Sequence, residues 1–193
     1  MSRKLEILET ARRLFNESNT QAVTTNHIAK EMSISPGNLH YHYSNREEII
    51  RVLYQQLSSD ASLKIDELPK DIATLNEHHK LLIKVQWRYR FFFRELLFLF
   101  SRDEKLRVMY VEDNIAHRVR IKKVMQNLVE HGEMQVANDN ALEHLVDTLL
   151  MAWQFYTSYM YTLGVCLDEK GIEEFITYTN QSMQLCRTDK ENT

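Results

Sequence analysis

Asn38, His40, Tyr41 and His42 bring amide, imidazole and phenol groups into one short stretch, directly after Pro36 and Gly37. Donors and acceptors of this kind, carried on a helix, suit hydrogen bonds to base edges in a DNA major groove, and the slim Pro36-Gly37 pair suits close approach and apolar contact with a thymine methyl. The flanking sequence supplies a frame for such a helix. Thr24 is placed to cap a first helix whose Ile28, Ala29 and Met32 form one apolar face. Ser33-Ile34 makes a tight turn, Ser35 caps a second helix, and Pro36 sits at its first position, where a missing N–H costs nothing. Leu39 and Tyr43, four apart, face inward and leave the remaining side chains outside. Two short helices across a tight turn, the second one outward-facing and polar, follow the helix-turn-helix plan. Thr24, Thr25, Asn26, Ser35 and Arg46 complete the expected DNA-contacting set, Arg46 as a phosphate ligand at a helix N-terminus.

The segment 24–46 resembles the DNA-binding domain of TetR-type transcriptional regulators. The residues carrying the resemblance are Ile28-Ala29, Ile34-Ser35, Gly37, Leu39, Tyr43 and the run 46–49, Arg-Glu-Glu-Ile, without a gap. The chain differs at two positions: Ser33 stands where Gly is usual in the turn, and His40 where Tyr is usual. A Cβ at Ser33 implies some backbone strain, whereas an imidazole at position 40 can still donate to phosphate. The resemblance implies a repressor, and a dimer joined through the last two helices as a four-helix bundle. The stretch 91–96 also resembles the body of a TetR subgroup with the same type of reading helix.

Composition fits an all-α protein. The 193 residues contain four Gly and two Pro, and no run of alternating apolar residues bounded by turn dipeptides. The net charge of −3 divides unevenly: residues 1–65 carry 8 Lys+Arg against 7 Asp+Glu, and residues 66–193 carry 16 against 20. A bulk polyelectrolyte grip on nucleic acid is excluded, so a shaped helix with local contacts is required. Two cysteines, Cys166 and Cys186, form no disulfide framework, and the N-terminus has no signal-peptide pattern. The most hydrophobic run, 91–100, is interrupted by Arg94-Glu95 and too short to span a bilayer. The expectation is a cytoplasmic chain with no membrane partner.

The chain in order reads as a helix over 3–16, the helix-turn-helix, and a connecting helix from Arg46 to about Ile65, capped by Asn45 with Glu48 three residues on. Pro69 marks a boundary between a three-helix head with its connector (1–65) and a helical effector-binding and dimerisation body (66–193). The body reads as one helix over 72–100, one from Asp103 to a stop at Gly132, one from Asp139 or Asn140 to Gly164, and a last over 172–187. Its aromatics are either core filling or the wall of an apolar pocket, with Trp87, Tyr89, Phe92, Trp153, Tyr156 and Tyr159 as the candidate ligand-binding set. The basic run Arg118, Arg120, Lys122, Lys123 reads as a solvated face, and the Asp113–His117 pair as a surface pair.

No catalytic or metal constellation is present in the sequence. The eight His contain no i, i+4 pair, and no Glu precedes a His by three, as a di-iron bundle needs. Phosphate-cradling glycine loops and nucleophile elbows are missing, so no cofactor and no enzyme activity are expected. The reading is a homodimeric, ligand-responsive regulator on a palindromic double-stranded DNA operator, released by an apolar or amphipathic small molecule. An activator of the same fold and a helical small-molecule carrier are the alternatives.

Overall fold

A computed structural model describes residues 2–62, 67–165, 168, 170, 171 and 174. Among the described residues eight helices follow one another: α1 (Arg3–Glu17), α2 (Thr25–Glu31), α3 (Pro36–His42), α4 (Arg46–Ala61), α5 (Ile72–Arg88), α6 (Arg90–Arg102), α7 (Glu104–Glu130) and α8 (Asp139–Thr162). The expected helix over 172–187 and both cysteine-bearing positions, 166 and 186, lie outside the described residues.

Local signals set most boundaries. Thr24 Oγ1 accepts from His27 N–H at 3.3 Å, and Ser35 Oγ accepts from Asn38 N–H at 3.2 Å, with Pro36 in the first turn. Asn45 Oδ1 accepts from Glu48 N–H at 2.8 Å, whereas the Glu48 carboxylate reaches one residue further back, to Ser44 N–H at 2.7 Å. Asn138 caps α8, one residue before the expected position. Asp103 ends α6 and caps α7, its Oδ1 accepting from Leu106 N–H. One boundary carried no such signal: the expected helix over 72–100 breaks at Tyr89, without Pro or Gly. Asn16 of α1 occupies that break from outside, donating to Arg88 O at 2.8 Å and accepting from Phe91 N–H at 3.0 Å. A side chain that satisfies both freed backbone groups stabilises the kink.

Three helices end in the same way. At Ser33, Gly132 and Gly164 the chain turns left-handed, with φ of 54°, 70° and 75°. In each, the next N–H reaches back five residues, as Ile34 N–H does to Ala29 O at 3.0 Å. Only Ser33 does so with a Cβ.

The described chain divides into two compact units that cut across the boundary expected near residue 66: residues 1–60 with 88–109, and residues 61–87 with 110–193. The first holds the reading head around Ile7, Ala11, Phe15, Ile28, Leu39, Ile49 and Leu53, all essentially inaccessible. Residues of α6 complete this core. Phe91 meets Phe15 with ring centroids 5.3 Å apart, and Phe92 stacks on Tyr54 at 5.1 Å. Burying each such ring contributes about 1.5–3 kcal/mol. The second unit has its own core of Leu68, Leu75, Val124, Met125, Leu128, Met134, Leu142 and Val146.

Two stability changes follow. Ser33→Gly relieves about 1–2 kcal/mol of left-handed strain against about 0.4–1 kcal/mol of added unfolded-chain entropy, so a small rise in the urea midpoint is expected; an unchanged or lower midpoint contradicts the strain. Glu95→Leu strands the Thr20 N–H and hydroxyl that its carboxylate accepts from, with an expected loss of about 1–3 kcal/mol for each buried group left unpaired, measured by the same denaturation.

Candidate nucleic-acid interface and ligand cavity

In the first unit, α3 turns its polar surface outward around one anchor. Leu39 is fully buried, and Tyr43, just past the helix, is buried with its hydroxyl donating to Lys4 O at 3.4 Å. Pro36, Gly37, Asn38, His40 and Tyr41 are exposed, and His42 is half-buried. Tyr41 is 85% exposed, its ring in edge contact with His42 at 5.1 Å. His40 Nδ1 lies 3.2 Å from Ser44 O, so that nitrogen carries the proton; Nε2 is left to accept from, or when protonated donate to, an outside partner. Thr24 and Asn26 are exposed beside this face and Thr25 is half-buried, with the Thr24 and Ser35 hydroxyls already used as helix caps.

Gly37 is informative because the protein itself does not require it. Its backbone is not left-handed, and a Cβ there would meet nothing within 4 Å. Gly in a helix costs up to about 1 kcal/mol against Ala, so its slimness faces outward, not inward.

Arg46 departs from the expected phosphate role. Its guanidinium donates to Thr20 O at 2.7 Å and to Glu47 Oε1 at 3.0 Å, its side chain is 22% exposed, and its Nε is buried without a partner. The group binds the head to itself and is not presented as a loose cation.

The six residues of the ligand-binding expectation fall in different surroundings. Tyr89 and Phe92 belong to the core of the first unit; the Tyr89 hydroxyl donates to Asp60 at 2.9 Å, and burial together with that carboxylate pushes it up to about 12. Tyr159 is exposed, while Trp87 and Tyr156 are half-buried. Trp153 alone of the six lines the enclosed space found in the second unit. That cavity encloses about 100 Å³ among α5, α7 and α8, with Leu75, Leu82, Ile83, Val124, Met125 and Leu149 as apolar wall. His78, His79, Gln86, His117 and Arg120 supply its polar side.

Those five residues were not legible as a site. His117 is half-buried and lines the cavity, and His78 and His79, expected to diverge, both reach it with ring centroids 6.5 Å apart. Their one sequence signal is polarity inside an apolar stripe: 75, 78, 82, 86 on α5 and 117, 120, 121, 124 on α7. The basic run likewise divides, with Arg118 and Lys122 bound to Glu143 and Asp147 while Arg120 turns to the cavity. No group of three metal-ligating side chains forms among the described residues. Burial, then the charge of His79, lowers His78 to about 4; burial, then Arg120 and His78, lower His117 to about 4 against the weaker opposite pull of Asp113.

Both rings are therefore neutral at pH 7 in the folded chain, while unfolded histidines titrate near 6.5. Protons then bind the unfolded chain first, so this stability is present above about pH 6.5 and is lost as pH falls toward 4. Thermal melts at pH 7.5 and pH 5 should show a smaller acid loss in the His78→Gln/His117→Gln variant than in the parent; equal losses would remove these rings as the cause.

Comparisons with known proteins agree with this geometry. Residues 7–53 match the family model described as bacterial regulatory proteins, tetR family, and residues 53–187 match one described as bacterial transcriptional repressor. The chain is 26% identical over 181 residues to the biofilm operon icaADBC HTH-type negative transcriptional regulator IcaR of Staphylococcus epidermidis, covering 87% of this chain and 91% of that one. A TetR-family transcriptional regulator from Marinobacter aquaeolei superposes with a TM-score of 0.89 at 24% identity, covering 98% and 93% of the two chains. The SmeT–triclosan complex superposes with a TM-score of 0.65 at 12% identity, covering 98% and 94%. No helix among the described residues is long and apolar enough to cross a membrane.

Proposed function

Because the chain belongs to the TetR family of bacterial transcriptional regulators, we propose that it is a homodimeric repressor that a small molecule releases from a palindromic DNA operator. Each subunit lays α3 (Pro36–His42) in a major groove. Asn38 reads a base edge, Pro36 and Gly37 allow the approach, and Tyr41, His40 and His42 contact base or phosphate, with Thr25 and Asn26 at the flank. The observation that carries the reading is the outward set of α3 around a buried Leu39, with a glycine that nothing inside the protein asks for.

Repression is supported by the relative IcaR, a negative transcriptional regulator. Release by a small molecule is supported by the cavity and by the triclosan held in the similarly folded SmeT. Pairing is supported by Met151, Phe155 and Tyr159, an exposed stripe with one residue per turn of α8, which a second copy covers. On this reading the protein acts on DNA in the cytoplasm.

Selection of bound sequences from a random DNA pool tests this directly: a two-fold symmetric site with half-sites about one helical turn or slightly more apart is expected, and a single unpaired half-site, or no sequence preference, would reject the reading. On the recovered site, Asn38→Ala should cost about 1–3 kcal/mol, and less on random DNA. Gly37→Ala should raise the melting temperature of the free protein, since Gly costs a helix about 0.5–1 kcal/mol, yet weaken the operator complex. A Gly37→Ala protein that binds the operator as tightly as the parent would refute close approach at α3.

A further inference from the structure

The cavity of the second unit has an unbalanced polar side. Arg120 reaches it and makes no hydrogen bond or ion pair among the described residues, whereas Arg118 and Lys122, two positions to either side, are neutralised by Glu143 and Asp147. Among the described residues the lining contains no Asp or Glu. His78 Nδ1 is buried without a hydrogen-bond partner. Gln86 is almost wholly buried; its amide nitrogen donates to Trp153 O at 2.9 Å, leaving Oε1 as a neutral acceptor without a donor. A guanidinium without a counter-ion among the described residues and an amide oxygen without a donor there make opposite demands on a guest. Hydrogen bonds to charged groups are worth roughly twice those between neutral ones, so the guanidinium sets the guest's charge.

We propose that this cavity takes an amphipathic carboxylate, its aliphatic or aryl chain against Leu82, Ile83, Val124 and Met125 and its carboxylate on Arg120 beside His78 and His117. The inference rests on the reading of the cavity as the effector site and names the chemical class of that effector. A planar guanidinium matches a carboxylate with two parallel N–H···O bonds. Burial and Arg120 already disfavour a proton on His117, and the same field disfavours a cationic guest. A neutral alcohol of equal length gains the apolar wall and the Gln86 oxygen but leaves Arg120 unanswered.

Calorimetric titration of the full chain, free of DNA, with octanoate, octan-1-ol and octylamine at pH 7.5 reads the charge preference. Octanoate should bind about tenfold or more tighter than octan-1-ol, as charge-assisted bonds of about 1.5–3 kcal/mol imply, and octylamine should bind most weakly. Arg120→Gln should bring octanoate down to the level of octan-1-ol while octan-1-ol binding stays as in the parent, which also reports an intact cavity. Octan-1-ol or octylamine matching octanoate, a preference that survives Arg120→Gln, or no binding of any of the three would overturn the proposal. Release of the operator is a separate readout. A carboxylate held through Arg120 that leaves operator affinity unchanged defeats the effector role alone, and release by compounds showing no carboxylate preference defeats only the present inference.

Discussion

Thr20 is the point at which the reading head is held together. It lies in the short link between α1 and α2 and is 1% exposed, so each of its polar groups needs a partner inside the protein. Glu95 of α6 accepts from its N–H at 3.0 Å and from its hydroxyl at 2.6 Å, and Arg46 of α4 donates to its carbonyl at 2.7 Å. Arg94, next to Glu95, donates to Phe15 O and Ser18 O at the end of α1. One loop residue is thus bound by segments 26 and 75 positions away. The helix-turn-helix that follows inherits its position from those bonds, and the anchor of α3 on Leu39 depends on that position.

This constraint explains how charge is distributed in the head. Arg12 donates to Arg88 O, Arg13 pairs with Glu17 and Glu31, and Arg51 pairs with Asp103. Most of its arginines are occupied in stitching helices to one another. On the proposed reading, what remains for nucleic acid is mainly shape and neutral hydrogen bonding from α3, in keeping with the near balance of charge over residues 1–65.

Much of the fold could be read from residues whose meaning is local. Thr24, Ser35, Pro36, Asn45 and the stops at Gly132 and Gly164 act through their own backbone within a turn or two, and each stands where the pattern placed it. Ser33 was readable as strained for the same reason. The break at Tyr89 was not readable, because its cause is Asn16, far away in sequence. Arg46 shows the same limit: at a helix N-terminus it looks like a phosphate ligand until Thr20 is seen beneath it. The aromatics drew attention away from the cavity, since their abundance serves the core around Phe15 and Tyr54, while the cavity's character comes from histidines and an arginine set singly among aliphatic neighbours.

The interrupted make-up of the first unit bears on how the protein is born. Its core is shared between residues 1–60 and 88–109, so a ribosome that has released the whole helix-turn-helix has still not released Phe91, Phe92 or Glu95. Until they emerge, the nascent head lacks the rings that cover Phe15 and Tyr54 and the carboxylate that holds Thr20. Domains generally fold as units during synthesis, and here that unit closes only after the intervening α5 has been made. The nascent chain therefore completes the packing of its first unit only once α6 has been made, and a gene fragment ending before α5 would encode an incomplete unit.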